Sequence, residues 1–204
     1  MLRLDHLAVS AAELTPGVAE VEALLGLSLS PGGAHGAMGT HNRLLRMGDV
    51  YLEVIAVDST APPPGRPRWF ALDRFEGAPR LTNWVVACDD LDAELAHAPA
   101  GAGAAMDLAR GDLRWRMAVP EDGELPFDGA FPALIQWQGA AHPVQRLPDS
   151  GLRLARLEIV HPDMARMAPA LAGLRDARVV LSEGRRAMRA TLLAPDGRET
   201  VLAG

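Results

Sequence analysis

Leu4-Asp5-His6-Leu7-Ala8-Val9 is an extended apolar run near the start of the chain, and its kind returns twice. The later copies are Leu81-Thr82-Asn83-Trp84-Val85-Val86 and Leu154-Ala155-Arg156-Leu157-Glu158-Ile159. Each run is followed by a helix signal and then by strand-like segments separated by turns. A recurring order of elements is the mark of a repeated structural unit, and it decides the fold before any finer reading.

After the first run, Thr15-Pro16 reads as an N-cap and first helical residue. Val18, Val21, Leu24 and Leu25 then share one face, and Gly26 ends the helix. After the second run, Asp89 or Asp90 is placed to cap a helix burying Leu91 and Leu95. After the third, Pro169 suits only the first residue of a short helix through Leu171 to Leu174. The strands that close the units are Asn42–Met47 and Tyr51–Val57, Leu113–Val119 and Ala133–Gln138, and Val179–Ser182, Met188–Leu193 and Glu199–Leu202. Gly48-Asp49 and Asp196-Gly197 supply tight turns among them.

Pro-rich stretches separate the units. The sequence predicts a βαβββ unit over residues 1–60, a linker over 61–79 and a second unit over 80–139. A second linker, 140–151, leads to a degenerate third unit over 152–204. One such unit has a half-buried sheet and open edges, so it must pair with another copy. The expected class is α+β: repeated βαβββ units paired into a curved, mixed and mostly antiparallel sheet around a cleft, where ligand sites concentrate.

The 204 residues are 49% hydrophobic and 23% charged, as in ordinary soluble proteins. A net charge of −6 argues against a nucleic-acid partner. No apolar run is long enough to span a bilayer, and none looks like a signal peptide, so no membrane partner is expected. All 20 cationic residues are Arg, a bias without mechanistic weight. The single Cys88 excludes an internal disulfide and fits a cytoplasmic location. With no flanking cation, its thiol reads as buried and inert. No nucleophile elbow, Cys-x-x-Cys pair or dinucleotide fingerprint is present.

Several segments carry a family resemblance: Leu4–Val9, Gly48-Asp49-Val50-Tyr51-Leu52-Glu53-Val54-Ile55, and Ala194-Pro195-Asp196-Gly197-Arg198-Glu199-Thr200-Val201-Leu202. The sequence resembles the vicinal oxygen chelate superfamily, which includes glyoxalase I, extradiol dioxygenases and bleomycin-resistance proteins. Gly32-Gly33-Ala34-His35-Gly36-Ala37-Met38-Gly39-Thr40-His41-Asn42, Arg66–Leu72 and Ile135-Gln136-Trp137 are similar to stretches of its bacterial glyoxalase-like domain subgroup. The resemblance covers the first two units through about His142, and the third in outline.

That resemblance implies a cleft between the first two units, with ligand positions on the first and last strands of each. Carried over by position, the candidates are His6 and Glu53 in the first unit and Asn83 and Gln136 in the second. Arg156 and roughly Val201 fall there in the third, and neither is a usual ligand. His6 and Glu53 are good donors for a divalent metal, whereas the amides are poor ones. His41, leading into the strand beside Glu53, is the expected third ligand. Without a metal, His6 and Glu53 become an acid–base pair, the carboxylate raising the imidazole's proton affinity. His41, Asn83, Gln136 and Trp137 would then contact the substrate.

Trp84 reads as core, whereas Trp115 and Trp137 are open to a place on the pocket wall. The glycine-rich stretch before Thr40 lacks the Lys and context of a phosphate loop. It reads as a flexible loop over the cleft mouth, bringing His35 and His41 near the ligand. His142-Pro143 borders either the cleft or solvent, and His161-Pro162 reads as a turn.

The resemblance implies a lyase, isomerase or dioxygenase acting on a carbonyl-bearing or vicinally oxygenated small molecule. The alternative is a metal-free protein that sequesters a ligand without chemistry, which the degenerate Asn83 and Gln136 favour. A third reading makes the last unit a scaffold or homodimer element, with catalysis lost.

Overall fold

The computed structural model describes residues 1–204. The first unit runs β1 (Arg3–Ser10), α1 (Leu14–Leu25), β2 (Ser30–His35), β3 (Thr40–Met47) and β4 (Val50–Val57). The second runs β5 (Arg80–Ala87), α2 (Leu91–Leu95), β6 (Ala104–Arg110), β7 (Leu113–Val119) and β8 (Ala133–Gln138). Together their strands form one eight-stranded sheet in the order β2-β3-β4-β1-β5-β8-β7-β6. β1 is parallel to β4, as β5 is to β8, and all other pairs are antiparallel. The halves mirror each other across the β1–β5 seam.

The register makes that symmetry explicit. Leu7 pairs with Trp84, His6 with Val85 and Ala8 with Asn83. A twofold operation on the seam therefore exchanges His6 with Asn83 and Ala8 with Val85. Since Ala8 is paired with Glu53 and Val85 with Ala133, the counterpart of Glu53 is Ala133. The sequence comparison had set Gln136 there; the register corrects it by three residues.

Alternation along β1 is broken on purpose. Leu4 pairs with Val86 and His6 with Val85, leaving Asp5 as the extra residue of a β-bulge. Leu4, Leu7 and Val9 enter the larger core on one side of the sheet, while Asp5, His6 and Ala8 face the concave side. The same irregularity recurs on β5, where Ala8 and Val9 pair with Asn83 and Leu81 and Thr82 is the extra residue.

Local signals set the helices. α1 ends at Gly26, whose φ of 69° is the left-handed conformation a C-cap requires. Its cap is Glu13 rather than Thr15, two residues earlier than the Thr-Pro pair suggests. The Asp90 side chain caps α2 by accepting from the Ala93 amide.

The last segment follows α3 (Pro143–Arg146) and comprises β9 (Arg153–His161), α4 (Met164–Met167), β10 (Val179–Glu183), β11 (Ala187–Leu193) and β12 (Glu199–Ala203). It repeats the order of elements but not their pairing. Its separate sheet runs β10-β9-β11-β12, with the first strand between the second and third. Leu157, Ile159, Met188 and Leu202 join Leu7, Val9, Trp84 and α1's Val21 and Leu25 in one core behind the large sheet. Trp84 is fully buried there and donates its indole N–H to the Ala130 carbonyl at 2.9 Å. Truncating it to Ala would cost about 3–5 kcal/mol. The backing covers the face of the large sheet opposite the concave side. No helix is long and apolar enough to cross a membrane.

Candidate functional site

At the centre of the concave face, His6 lies between two carboxylates. Its Nδ1–H donates to Asp5 Oδ1 at 2.6 Å, and its Nε2 is 3.5 Å from Glu53 Oε2. All three side chains are buried. Asp5 is held on its other oxygen by Trp137 Nε1–H at 2.8 Å and His142 Nε2–H at 3.0 Å. Glu53 accepts from Asn42 Nδ2 at 2.5 Å. Tyr51 stacks on the His6 ring, with centroids 4.4 Å apart.

The electrostatics follow from this arrangement. Burial pulls the His6 proton affinity down, but the hydrogen bonds and charges of Asp5 and Glu53 overcome it and raise the pKa to about 9. Burial pushes Glu53 up, yet His6 chiefly, with His35 and Asn42, brings it to about 2. Asp5, buried as well, is held far below the usual carboxylate range by His142 and His6. At neutral pH the centre is therefore an imidazolium between two carboxylates. Burial lifts the Tyr51 phenol well above its ordinary value, so that ring stays neutral.

The glycine-rich stretch is not a loop. Its first half is strand β2, laid against β3 so closely that a Cβ on Gly32 would sit 2.4 Å from the Asn42 carbonyl oxygen. Gly33 donates its amide to Asn42 Oδ1 at 2.9 Å, which turns the Asn42 NH2 group toward Glu53. His35 ends β2 with Nδ1–H donating to Thr40 Oγ1 at 3.1 Å. Arg110 crosses from β6 to donate to His35 Nε2 at 3.1 Å and Asn42 Oδ1 at 3.2 Å. It ties the two outer strands of the large sheet together. Burial, aided by the Arg110 charge and opposed by Glu53, lowers the His35 pKa to about 4. His35 is thus a neutral acceptor for Arg110.

Not every expected residue arrives. His41 lies on β3 between Thr40 and Asn42, and strand alternation sends it to the opposite face. Asn42, one residue on, is the partner of Glu53. Gln136 also faces outward: it donates to the Asp89 carbonyl and accepts from the Leu91 amide, holding the start of α2. Ile135 and Trp137 take the inward positions on either side of it. Asn83 does face inward, but into a neighbouring cavity. Trp137 and Trp115 line the cavity together, with ring centroids 5.6 Å apart. Asp5 joins the site although strand alternation from His6 would place it on the opposite face. The signal was present: apolar residues at 4, 7 and 9 break period-two alternation, as a bulge does.

The cavity beside His6 and Glu53 measures about 30 Å³, room for a water or two. Its remaining walls include His35, Asn42, Tyr51, Trp69, Phe70 and Arg110. Trp69 Nε1–H is buried without a partner. Phe70 and Ala71 adopt φ values of 58° and 53°, unusual for residues other than glycine.

The donor set does not fit a divalent metal. His6 Nε2 and Glu53 are the two strong donors, His41 faces away, and the second unit offers Asn83 and Ala133 at the matching positions. No group of three His, Cys, Asp or Glu side chains is arranged to hold an ion anywhere in the chain. Cys88 stays apart: burial raises its thiol to about 11, and it donates to the Ile135 carbonyl.

Comparison with known proteins agrees with this architecture. The pattern of the glyoxalase-like domain family matches residues 4–175. Among solved structures, a hypothetical protein from Staphylococcus aureus superposes with a TM-score of 0.61 at 14% identity, covering 98% of this chain and 85% of that one. A Streptomyces coelicolor methylmalonyl-CoA epimerase variant in complex with 2-nitronate-propionyl-CoA gives 0.43 at 16%, over 68% and 98% of the two chains. Methylmalonyl-CoA epimerase from Mycobacterium tuberculosis gives 0.43 at 18%, over 68% and 88%. No curated protein matches. The bulged strand, the paired units and the family match together identify the chain as a member of the glyoxalase-like domain family, within the vicinal oxygen chelate superfamily.

Proposed function

We propose that this protein is a small-molecule enzyme of isomerase or lyase type that moves a proton at a carbon next to a carbonyl, using His6 and Glu53 and no metal. The observation that carries the reading is the buried His6 imidazolium whose Nε2 and the Glu53 Oε2 stand 3.5 Å apart at a cavity wall. That separation is long for a hydrogen bond, so a substrate oxygen can take the Nε2–H in its place.

The step balances within the pair. Glu53 Oε2 takes the proton from the carbon, the electron pair shifts into the C=C bond of an enol, and the carbonyl oxygen receives the Nε2 proton. With a 2-hydroxy ketone the product is an enediol, and return of the proton from Glu53 to the neighbouring carbon, with the second hydroxyl's proton going back to Nε2, yields the isomer. Glu53 is a weak base while His6 holds it. Once the substrate oxygen engages Nε2–H, the carboxylate loses that contact and its proton affinity rises. Asp5 keeps the ring oriented, and the Trp69 N–H and Arg110 are further donors on the wall.

A second reading, sequestration without turnover, draws on the apolar wall built by Trp115, Met117, Ile135 and Trp137.

The test is deuterium wash-in. A panel of 2-keto acids, 2-hydroxy ketones and 2-substituted thioesters is incubated in D2O with EDTA, and loss of the α-proton signal is followed by NMR. Exchange by wild type that Glu53→Gln and His6→Asn both abolish supports the proposal. Exchange that needs added metal sinks its metal-free form. Tight binding of a panel compound without any exchange establishes sequestration instead.

A further inference from the structure

The twofold symmetry of the large sheet gives the Asp5–His6 bulge a counterpart, Thr82–Asn83, and that counterpart has a cavity of its own. It measures about 380 Å³, within the range of small-molecule sites. Thr82, Asn83, Arg74, Arg80 and Arg186 line it, and Phe70 belongs to its wall as well as to that of the first cavity.

Two observations point to a ligand. Asn83 is 4% exposed, and its Oδ1 is buried with no hydrogen-bond partner. Native structures rarely leave such an atom unsatisfied. Arg80 and Arg186, meanwhile, carry guanidiniums without a carboxylate partner. Arg80 is held over the Phe75 ring at 4.2 Å and donates to the Glu76 carbonyl. Arg186 donates its Nε–H to the Asp128 carbonyl at 2.8 Å, leaving its terminal nitrogens free. Glu124 offsets only Arg74, with which it pairs at 2.6 Å, and the Asp128 carboxylate lies 3.6 Å from His161 Nε2. A chain with a net charge of −6 thus gathers three arginines against two carboxylates around one cavity.

The geometry points to a second ligand site for a small hydroxycarboxylate. Its carboxylate groups meet Arg80 and Arg186, for which planar two-point recognition is the natural mode. Its hydroxyl meets the side-chain amide of Asn83 on the cavity wall. The third segment, which carries none of the His6–Glu53 centre, contributes Arg186 here from the turn between β10 and β11. The site does not depend on the acid–base reading. The two units have diverged: one bulge presents Asp-His with a carboxylate opposite, the other Thr-Asn with Ala133 opposite and arginines from outside the pair.

Isothermal titration of the full chain with L-malate, acetate and inorganic phosphate tests this. L-malate is expected to bind, with acetate at least tenfold weaker for want of the hydroxyl donor and second carboxylate. Arg186→Gln and Arg80→Gln, both at exposed positions where folding is safe, should each weaken malate at least tenfold, while Glu53→Gln leaves it unchanged. No malate binding, preference for phosphate, or a loss in Glu53→Gln equal to that in the arginine variants would each overturn the assignment.

Discussion

Asp5 and His6 are consecutive residues of a β-strand, yet their side chains share one face and meet at 2.6 Å between Oδ1 and Nδ1. In a regular strand they would point apart. The bulge at Asp5 brings them together, and with Glu53 beyond His6 it creates a buried charge relay of fixed orientation. Asp5→Asn keeps the shape and removes the charge. Removing one partner of a buried ion pair costs about 3–5 kcal/mol, and the His6 pKa should fall from about 9 toward its ordinary value. Urea denaturation reads the first and NMR titration of the His6 ring the second. A ring still titrating near 9 would mean that Asp5 is not what holds its proton.

Stability should follow the same groups with pH. His6 has a folded pKa above its ordinary value, so its contribution is complete below about 6.5 and disappears as pH rises through about 9. Glu53 and Asp5 are depressed, so theirs is present above about pH 4.5 and lost as pH falls toward 2. His35, depressed to about 4, takes up its proton more readily when unfolded, which steepens the decline between about pH 6.5 and 4. Melting temperatures measured from pH 3 to 10 should form a plateau near neutrality with an acid limb starting above pH 5. A curve still rising from pH 8 to 10 would contradict the charged His6.

Asn42 joins the glycine-rich strand to Glu53. Asn42→Leu removes the donor at 2.5 Å and leaves a buried carboxylate short of a partner, which costs about 1–3 kcal/mol. It should also raise the Glu53 pKa. Gly32→Ala acts on the same joint from outside, since its Cβ would press on the Asn42 backbone; overpacking of this kind costs about 1–3 kcal/mol. Chemical denaturation measures both. His41→Ala, one residue from Asn42 but facing away, should leave stability within about 0.5 kcal/mol of wild type.

Trp137→Phe keeps an aromatic wall and deletes only the N–H that reaches Asp5 Oδ2 at 2.8 Å. A hydrogen bond to a charged group is worth about 1.5–3 kcal/mol. The loss should appear as a lower urea midpoint at pH 7, together with a rise in the depressed Asp5 pKa read by carboxyl NMR. A lower midpoint with the Asp5 titration unmoved would assign Trp137 to packing alone.

Most of the architecture was legible because it is written in local chemistry. The three apolar runs, Gly26 after α1, Asp90 before α2 and the Asp-Gly turns each act within a few residues, and the elements they mark formed near their expected places; β2 and β6 carry no such signal, and the third helix lies at Met164–Met167, ahead of the expected Leu171 to Leu174. The pairing of the third segment was not legible. Strand order depends on which edges bury the most apolar surface, and Val179–Glu183 paired in parallel with Arg153–His161 instead of with the strand that follows it.

The site divides along the same line. The sequence, through its family resemblance, set His6 and Glu53 on neighbouring strands, and its apolar pattern put Trp84 in the core. Tertiary structure alone decided which side chains turn inward. One bulged residue recruited Asp5, alternation excluded His41 in favour of Asn42, and a three-residue difference in register replaced Gln136 with Ala133. Strand periodicity is two, so a shift of a single residue exchanges the cleft face for the opposite face. That sensitivity is why the residue types could be read along the chain, while their convergence around His6 was settled only when the strands paired.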